Sequence, residues 1–388
     1  MRRAVPLFAL MLIFLVGCSA QTETADAPSK PAQDLPIPLD NPKAMLGSQL
    51  FFDVNLSKNR NQSCASCHDI GQAFTDRRLT GVNGAVSVGS DDQSMGDRNT
   101  PTAMYSALTP RFHKMPSGEY RGGQFLDGRA STLADQAAGP FVNPVEMQMP
   151  SEESVVDRIL EQETYVDSFK DVYGDDIFED KAKAFNAVTD AIAHFESTEL
   201  FLPFNSKYDR VMRGEAQFTA EEELGRTLFF SQQFTNCNSC HQLNSSPFYE
   251  RETFTNYEYR NIGTPANPLL EHVVGADIGL RANPNVSEES QRGKFRVPTL
   301  RNVGVTGPYM HNGVFKDLRT VILFYDKYNN PMRKLNPETG QPWGSPEVAE
   351  NIDFATLEQS PALDNRRVDA LVAFLKTLTD KQYEYLQE

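Results

Sequence analysis

The chain has 388 residues, with 37 Lys or Arg against 52 Asp or Glu, a formal net charge of −15. A hydrophobic fraction of 39% with 10% aromatics excludes a disordered polyanion, and the acidity excludes a nucleic-acid binder, which needs clustered Lys and Arg to neutralise phosphates. At roughly 100–200 residues per domain, the length suggests two globular domains or one large one.

Met1-Arg2-Arg3 is a short basic start, and residues Ala4 to Val16 carry no charge. That run is too short to span a bilayer of roughly 30 Å and suits the apolar core of an export signal. It ends in Leu15-Val16-Gly17-Cys18, which resembles a bacterial lipobox, so Cys18 would be lipidated and would begin the mature chain. The alternative is an ordinary signal cut a few residues later. Removing residues 1–17 takes away two positive charges and no negative one, which leaves −17. Residues 18–42 are rich in Pro, Asp, Thr and Ala and have no apolar periodicity, as in a flexible tether.

The remaining four of the five cysteines lie in two copies of one pentapeptide, Cys64-Ala65-Ser66-Cys67-His68 and Cys237-Asn238-Ser239-Cys240-His241. C-x-x-C-H is the attachment signature of c-type haem, with two thioether links and the histidine as proximal iron ligand. A zinc site would not require a histidine directly after each pair, and a thioredoxin-like site would need a preceding strand, which neither copy has. Leu46-Gly47-Ser48-Gln49-Leu50-Phe51-Phe52 precedes the first box and Leu224-Gly225-Arg226-Thr227-Leu228-Phe229-Phe230 the second, each reading as a short helix. Each box is followed by a Pro-Thr pair, Pro101-Thr102 and Pro298-Thr299, and then by Gly128 to Leu133 and Gly313 to Leu318. The pattern predicts a mostly α protein of two tandem cytochrome c-type domains, residues 43–208 and 209–388, each with one covalent haem. Between the boxes, the spacing predicts an amphipathic helix from Lys181 to Phe201 and a helix start capped by Thr219.

With these motifs in place, the chain resembles the bacterial dihaem cytochrome c peroxidases together with MauG. The resemblance rests on Phe125-Leu126-Asp127-Gly128-Arg129-Ala130, Gln136, Gly139-Pro140 and Asn143-Pro144-Val145-Glu146-Met147. In the second half it rests on Val297-Pro298-Thr299-Leu300-Arg301-Asn302-Val303 and Thr306-Gly307-Pro308-Tyr309-Met310-His311-Asn312-Gly313. It covers roughly residues 41–380 and implies a division of labour between two haems.

The first haem, attached at Cys64 and Cys67 with His68 on its iron, would react with hydrogen peroxide. Gln136 and Glu146 would face the peroxide and Pro140 would shape the pocket. Glu146 suits this role because O–O cleavage needs a group that takes a proton from the near oxygen and returns it to the far one. The second haem, attached at Cys237 and Cys240 with His241 on its iron, would move electrons. Typical peroxidases place a methionine fourteen residues after the histidine of the P-Y-x-H block; that count from His311 reaches Tyr325, a hard anionic donor that favours higher iron oxidation states, as in the MauG branch. The alternative leaves Tyr325 as a core aromatic, with Met310, Met332 or His311 as ligand. Ser90 stands where typical peroxidases carry a removable distal histidine, and no histidine lies between His68 and His113, so the first haem should be five-coordinate. The resemblance further implies one Ca²⁺ held by Asn99 and the carbonyls of Thr306 and Pro308. His194 and His272 read as structural.

One departure is Leu126, where the family has a tryptophan; leucine cannot relay an electron, which leaves Phe125, Tyr105, Tyr309 or direct tunnelling. The only tryptophan is Trp343. The expected protein is thus a periplasmic, lipid-anchored enzyme that uses peroxide to oxidise side chains of a partner protein and touches membrane only through its lipid. The alternatives are a peroxidase fed by a small cytochrome or cupredoxin, and a non-enzymatic electron-transfer cytochrome.

Overall fold

α1 (Pro42–Phe52) starts at Asn41, whose side chain accepts from the amides of Lys43 and Ala44, and Pro42 sits at the first turn, where no amide partner is needed. The computed structural model describes Met1 and residues 36–79, 82–270 and 275–387. The export signal, Cys18, most of the tether and His272 lie outside the described residues. The end of the predicted tether belongs to the fold: Ile37 donates its amide to the Ser197 carbonyl, and Asn41 caps α1.

The first half continues with α2 (Cys64–Cys67), α3 (Leu133–Val142), α4 (Glu152–Leu160), α5 (Glu163–Tyr173) and α6 (Lys181–Glu196). The second holds α7 (Lys207–Met212), α8 (Ala220–Phe229), α9 (Leu318–Asp326), α10 (Phe354–Leu357) and α11 (Asn365–Lys376). Strands among the described residues are two short antiparallel pairs. β1 (His113–Lys114) pairs with β2 (Tyr120–Arg121), and β3 (Tyr259–Arg260) with β4 (Phe295–Arg296), Tyr259 opposite Arg296. No helix among them is long and apolar enough to cross a membrane.

Thr219 caps α8 in a reciprocal box with Glu222, as its sequence predicts. α6 stops at Glu196, short of the predicted Phe201. Ser197 and Thr198 turn their hydroxyls back onto the carbonyls of Ala193 and Phe195, competing with helix continuation.

The sequence repeat is also a packing repeat. α1 crosses α6 so closely that a methyl on Gly47 would run into the Ala191 carbonyl and the Phe195 side chain. α8 crosses α11 the same way, and a methyl on Gly225 would meet the Ala370 carbonyl and Phe374. Each glycine lets the following Leu-Phe pair reach its own core. Phe51 meets Phe195 edge-on at 5.4 Å in one, and Phe229 meets Phe374 at 5.3 Å in the other.

Candidate functional site

The two pentapeptides adopt the same hydrogen-bonding scheme. In each, the histidine amide donates to the carbonyl of the first cysteine, His68 to Cys64 at 2.9 Å and His241 to Cys237 at 2.9 Å. Each imidazole holds a backbone carbonyl through Nδ1, His68 that of Phe74 at 3.0 Å and His241 that of Phe254 at 3.1 Å. Both phenylalanines have left-handed backbones, φ 55° and 54°, which for bulky residues is a constrained conformation. Threonines of the Pro-Thr pairs brace these turns: Thr102 donates to the Ala73 carbonyl and Thr299 to that of Thr253. Nδ1 is thereby committed and Nε2 is left for a ligand. Burial lowers the His68 pKa and takes that of His241 to about 4, so both rings are neutral and able to coordinate metal.

Cys64, Cys67, Cys237 and Cys240 are unbonded to one another, and burial pushes their thiols up, Cys67 and Cys237 to about 11. Raised values oppose the thiolate that a redox-exchange site requires. Both boxes line one largely apolar cavity of about 510 Å³. Arg296 on β4 also lines it; its Nε is buried without a hydrogen bond, its guanidinium has no ion pair among the described residues, and burial lowers its pKa. An unpaired buried cation is costly, and the propionates of a haem would supply the missing counter-charge. The donor set, the cavity and this orphaned arginine fit c-type haem. Sequence reasoning missed Arg296, although aligning the halves on their Pro-Thr pairs sets it opposite Asn99.

Gln136 and Pro140 lie one turn apart on α3, so both reach the cavity, where Glu146 joins them from the following loop. Burial raises the Glu146 carboxyl to about 7. Ser90 is bound into the fold: its amide donates to the Glu146 carbonyl at 2.7 Å and its hydroxyl to Asn61 at 2.8 Å. Gly89 permits this approach, because a Cβ there would lie 2.8 Å from the Val145 carbonyl oxygen. His113 is exposed on β1, outside the cavity lining, and His194 is paired with Asp190.

Tyr325 of α9 lines the cavity beside the second box, and its hydroxyl has no hydrogen bond among the described residues. Its phenol is pushed up by burial and by the nearby Cys240 and Cys237. Of its rivals, Met310 and His311 line the same cavity, but His311 is committed through Nε2 to Glu347 at 2.8 Å, and Met332 is 83% exposed. Asn99, Thr306 and Pro308 also line the cavity. Asn99 donates to the Ala85 carbonyl, and its Oδ1 accepts no hydrogen bond among the described residues.

Glu196, unremarked in the sequence, closes the cavity from the end of α6, beside Cys64. It is 5% exposed, has no hydrogen bond among the described residues, and burial raises its carboxyl to about 8. The unfolded chain ionises this group first, so wild-type stability should decline as pH rises from the ordinary carboxylate range toward 8. Glu196→Gln should flatten that decline in thermal melts across this range; parallel curves would show that the group ionises freely in the fold.

Known proteins resemble this chain over most of its length. A family model described as "Di-haem cytochrome c peroxidase" matches residues 41–217. The chain is 52% identical over 358 residues to the methylamine utilization protein MauG of Paracoccus denitrificans, spanning 90% of this chain and 92% of that one. It is 30% identical over 369 residues to the cytochrome c551 peroxidase of Nitrosomonas europaea, spanning 95% and 88%. The solved structure of the diheme peroxidase BthA from Burkholderia thailandensis superposes with a TM-score of 0.79 at 31% identity, covering 92% of this chain and 90% of that one.

Proposed function

Because the chain belongs to the dihaem cytochrome c peroxidase family and is a MauG-like haem oxidoreductase, we propose that it uses hydrogen peroxide to oxidise side chains of a partner protein. The observation that carries this reading is Tyr325, which brings an unpartnered phenol to the second box. The two c-type haems that the family implies supply, when bound, the iron that peroxide oxidises and the centre that passes oxidising equivalents on.

Each part of the chain then has a task. Cys64, Cys67, Cys237 and Cys240 would hold the haems covalently, His68 and His241 would offer Nε2 to iron, and Tyr325 would supply its phenol as a further donor at the second haem. Arg296 offsets propionate charge. Glu146 accepts the proton of bound peroxide and returns it to the leaving oxygen, Gln136 orients the peroxide by hydrogen bonding, and Pro140 keeps an amide out of the pocket wall. Ser90 holds the loop of Glu146 in place and, unlike a histidine, would offer no ring nitrogen to the first haem. One Ca²⁺ would rest on Asn99 and the carbonyl oxygens of Thr306 and Pro308, all hard donors. The halves 43–208 and 209–388 are read as diverged copies, supported by the matched Gly47 and Gly225 crossings. Export and a lipid on Cys18 place the enzyme in the periplasm at a membrane surface.

The test adds peroxide to the fully oxidised, haem-loaded protein with no donor. A long-lived state two electrons more oxidised than the resting protein is expected; no reaction until one haem is reduced would instead mark a conventional peroxidase. Tyr325→Phe should change the absorption of the second haem while leaving the first unaltered, and should shorten that state. An unchanged spectrum removes Tyr325 from the iron.

A further inference from the structure

The repeat brings two equivalent residues onto one buried carboxylate. Tyr105 and Asn302 each stand four residues after the proline of a Pro-Thr pair, and both have left-handed backbones, φ 63° and 62°. The Tyr105 hydroxyl donates to Asp380, 2.8 and 2.9 Å from its two oxygens. Asn302 donates to the same carboxylate at 2.8 Å and receives the Asp380 amide at 2.8 Å. Tyr105 is 2% exposed, and Asn302 and Asp380 are fully buried. Holding an aromatic residue in this backbone region costs on the order of 1–3 kcal/mol, so the surrounding contacts dictate its placement.

Four tyrosines line the cavity, Tyr105, Tyr257, Tyr309 and Tyr325. Among them only Tyr105 has its hydroxyl on a carboxylate; Tyr309 donates to the Val303 carbonyl, which cannot keep a proton. Tyr105 also sits between the supports of the two histidines. Two residues before it, the Ala103 amide donates to the Phe74 carbonyl, the one that holds His68. On its other side the Arg301 guanidinium lies 5.4 Å from the Tyr105 ring and 5.4 Å from that of Phe254, whose carbonyl holds His241.

We propose that Tyr105 is a redox-active residue that, in the peroxide-oxidised protein, gives one electron to the oxidised haem system and its phenolic proton to Asp380. The role rests on the peroxide reading above. The phenolic O–H bond breaks and an O–H bond forms on the carboxylate, while the electron leaving Tyr105 moves one oxidising equivalent from the haem system to the phenol and leaves the total unchanged. A neutral phenoxyl then faces a neutral carboxylic acid, so the step moves a proton a hydrogen-bond length and leaves no new charge in the core. Later, one electron from the partner side chain that is oxidised reduces the phenoxyl, and Asp380 returns the proton. Asp380 suits the acceptor role: its hydrogen-bond donors are neutral, it has no ion pair among the described residues, and burial raises its carboxyl despite the field of Arg301. Leu126 offers no such station.

The experiment mixes haem-loaded protein with peroxide, without donor, and freeze-quenches it for electron paramagnetic resonance while haem absorption is followed in parallel. An organic radical is expected that narrows when the protein carries ring-deuterated tyrosine and disappears in Tyr105→Phe. Ring labelling of the wild type keeps the role falsifiable where the variant folds poorly, since a signal that does not narrow overturns it. A haem response with no tyrosine-derived signal, or with a signal unchanged in Tyr105→Phe, overturns the role of Tyr105 and leaves the peroxide reading standing. Absence of any haem response overturns the peroxide reading, and the role of Tyr105 with it.

Discussion

Glu146→Gln is expected to slow the reaction with hydrogen peroxide by about 10²–10⁴-fold, the range over which a positioned proton acceptor contributes. Glutamine matches the carboxyl in size and cannot take a proton. The contact that sets the loop, from the Ser90 amide to the Glu146 carbonyl, is made by backbone and survives the change. The loss should therefore be chemical, not structural. Burial places the wild-type group near pH 7, and the acceptor form is the ionised one. The wild-type rate should thus be level above about pH 7 and fall as the group protonates below it, while the variant profile is flat. Stopped-flow absorption of the haem-loaded protein across that range measures both. A variant within about threefold of wild type would assign proton transfer to water.

What could be read from the chain before the fold was local. Two C-x-x-C-H boxes, the helices that precede them and the Thr219 cap each lie within a few consecutive residues, where spacing and side-chain chemistry suffice. Gln136 and Glu146 belong to one local block and reach one cavity. The supporting structure is not local. Nothing near His68 or His241 says that left-handed phenylalanines will present carbonyls to both rings, because that geometry depends on packing of whole loops. Arg296 and Glu196 read as ordinary surface charges until the fold removes their partners. The apolar spacing from Lys181 continues through Phe201 and so overruns the helix, while the signal that ends it at Glu196, two hydroxyls bonding backwards, is a choice of rotamer.

The same non-local seam carries the largest expected effect on stability. Asp209 of α7 and Arg301 are both fully buried and paired through two contacts of 2.5 and 2.9 Å, with Ser206 also donating to the carboxylate. Burial alone would raise the Asp209 carboxyl, and Arg301 with these hydrogen bonds more than offsets it, leaving the group below its ordinary range. Asp209→Asn leaves a guanidinium without its partner in a dry core, and removing one member of such a pair costs about 3–5 kcal/mol. Replacing both residues by apolar ones of similar volume should cost far less, since the penalty is the stranded charge and not the lost pair. Denaturant midpoints of the haem-loaded single and double variants decide this; equal losses would show that the hydrogen-bond geometry, not the charge, matters. Because the folded carboxyl sits low, its contribution is fully present above the ordinary carboxylate range and disappears as pH falls through the folded value, so the gap between wild type and Asp209→Asn should close on acidification. Arg301 also donates through Nε to the Glu252 carbonyl and packs against the rings of Tyr105 and Phe254. A stranded Arg301 would therefore disturb the seam on which both histidine supports converge, and the absorption of both haems in the variant should change before it unfolds.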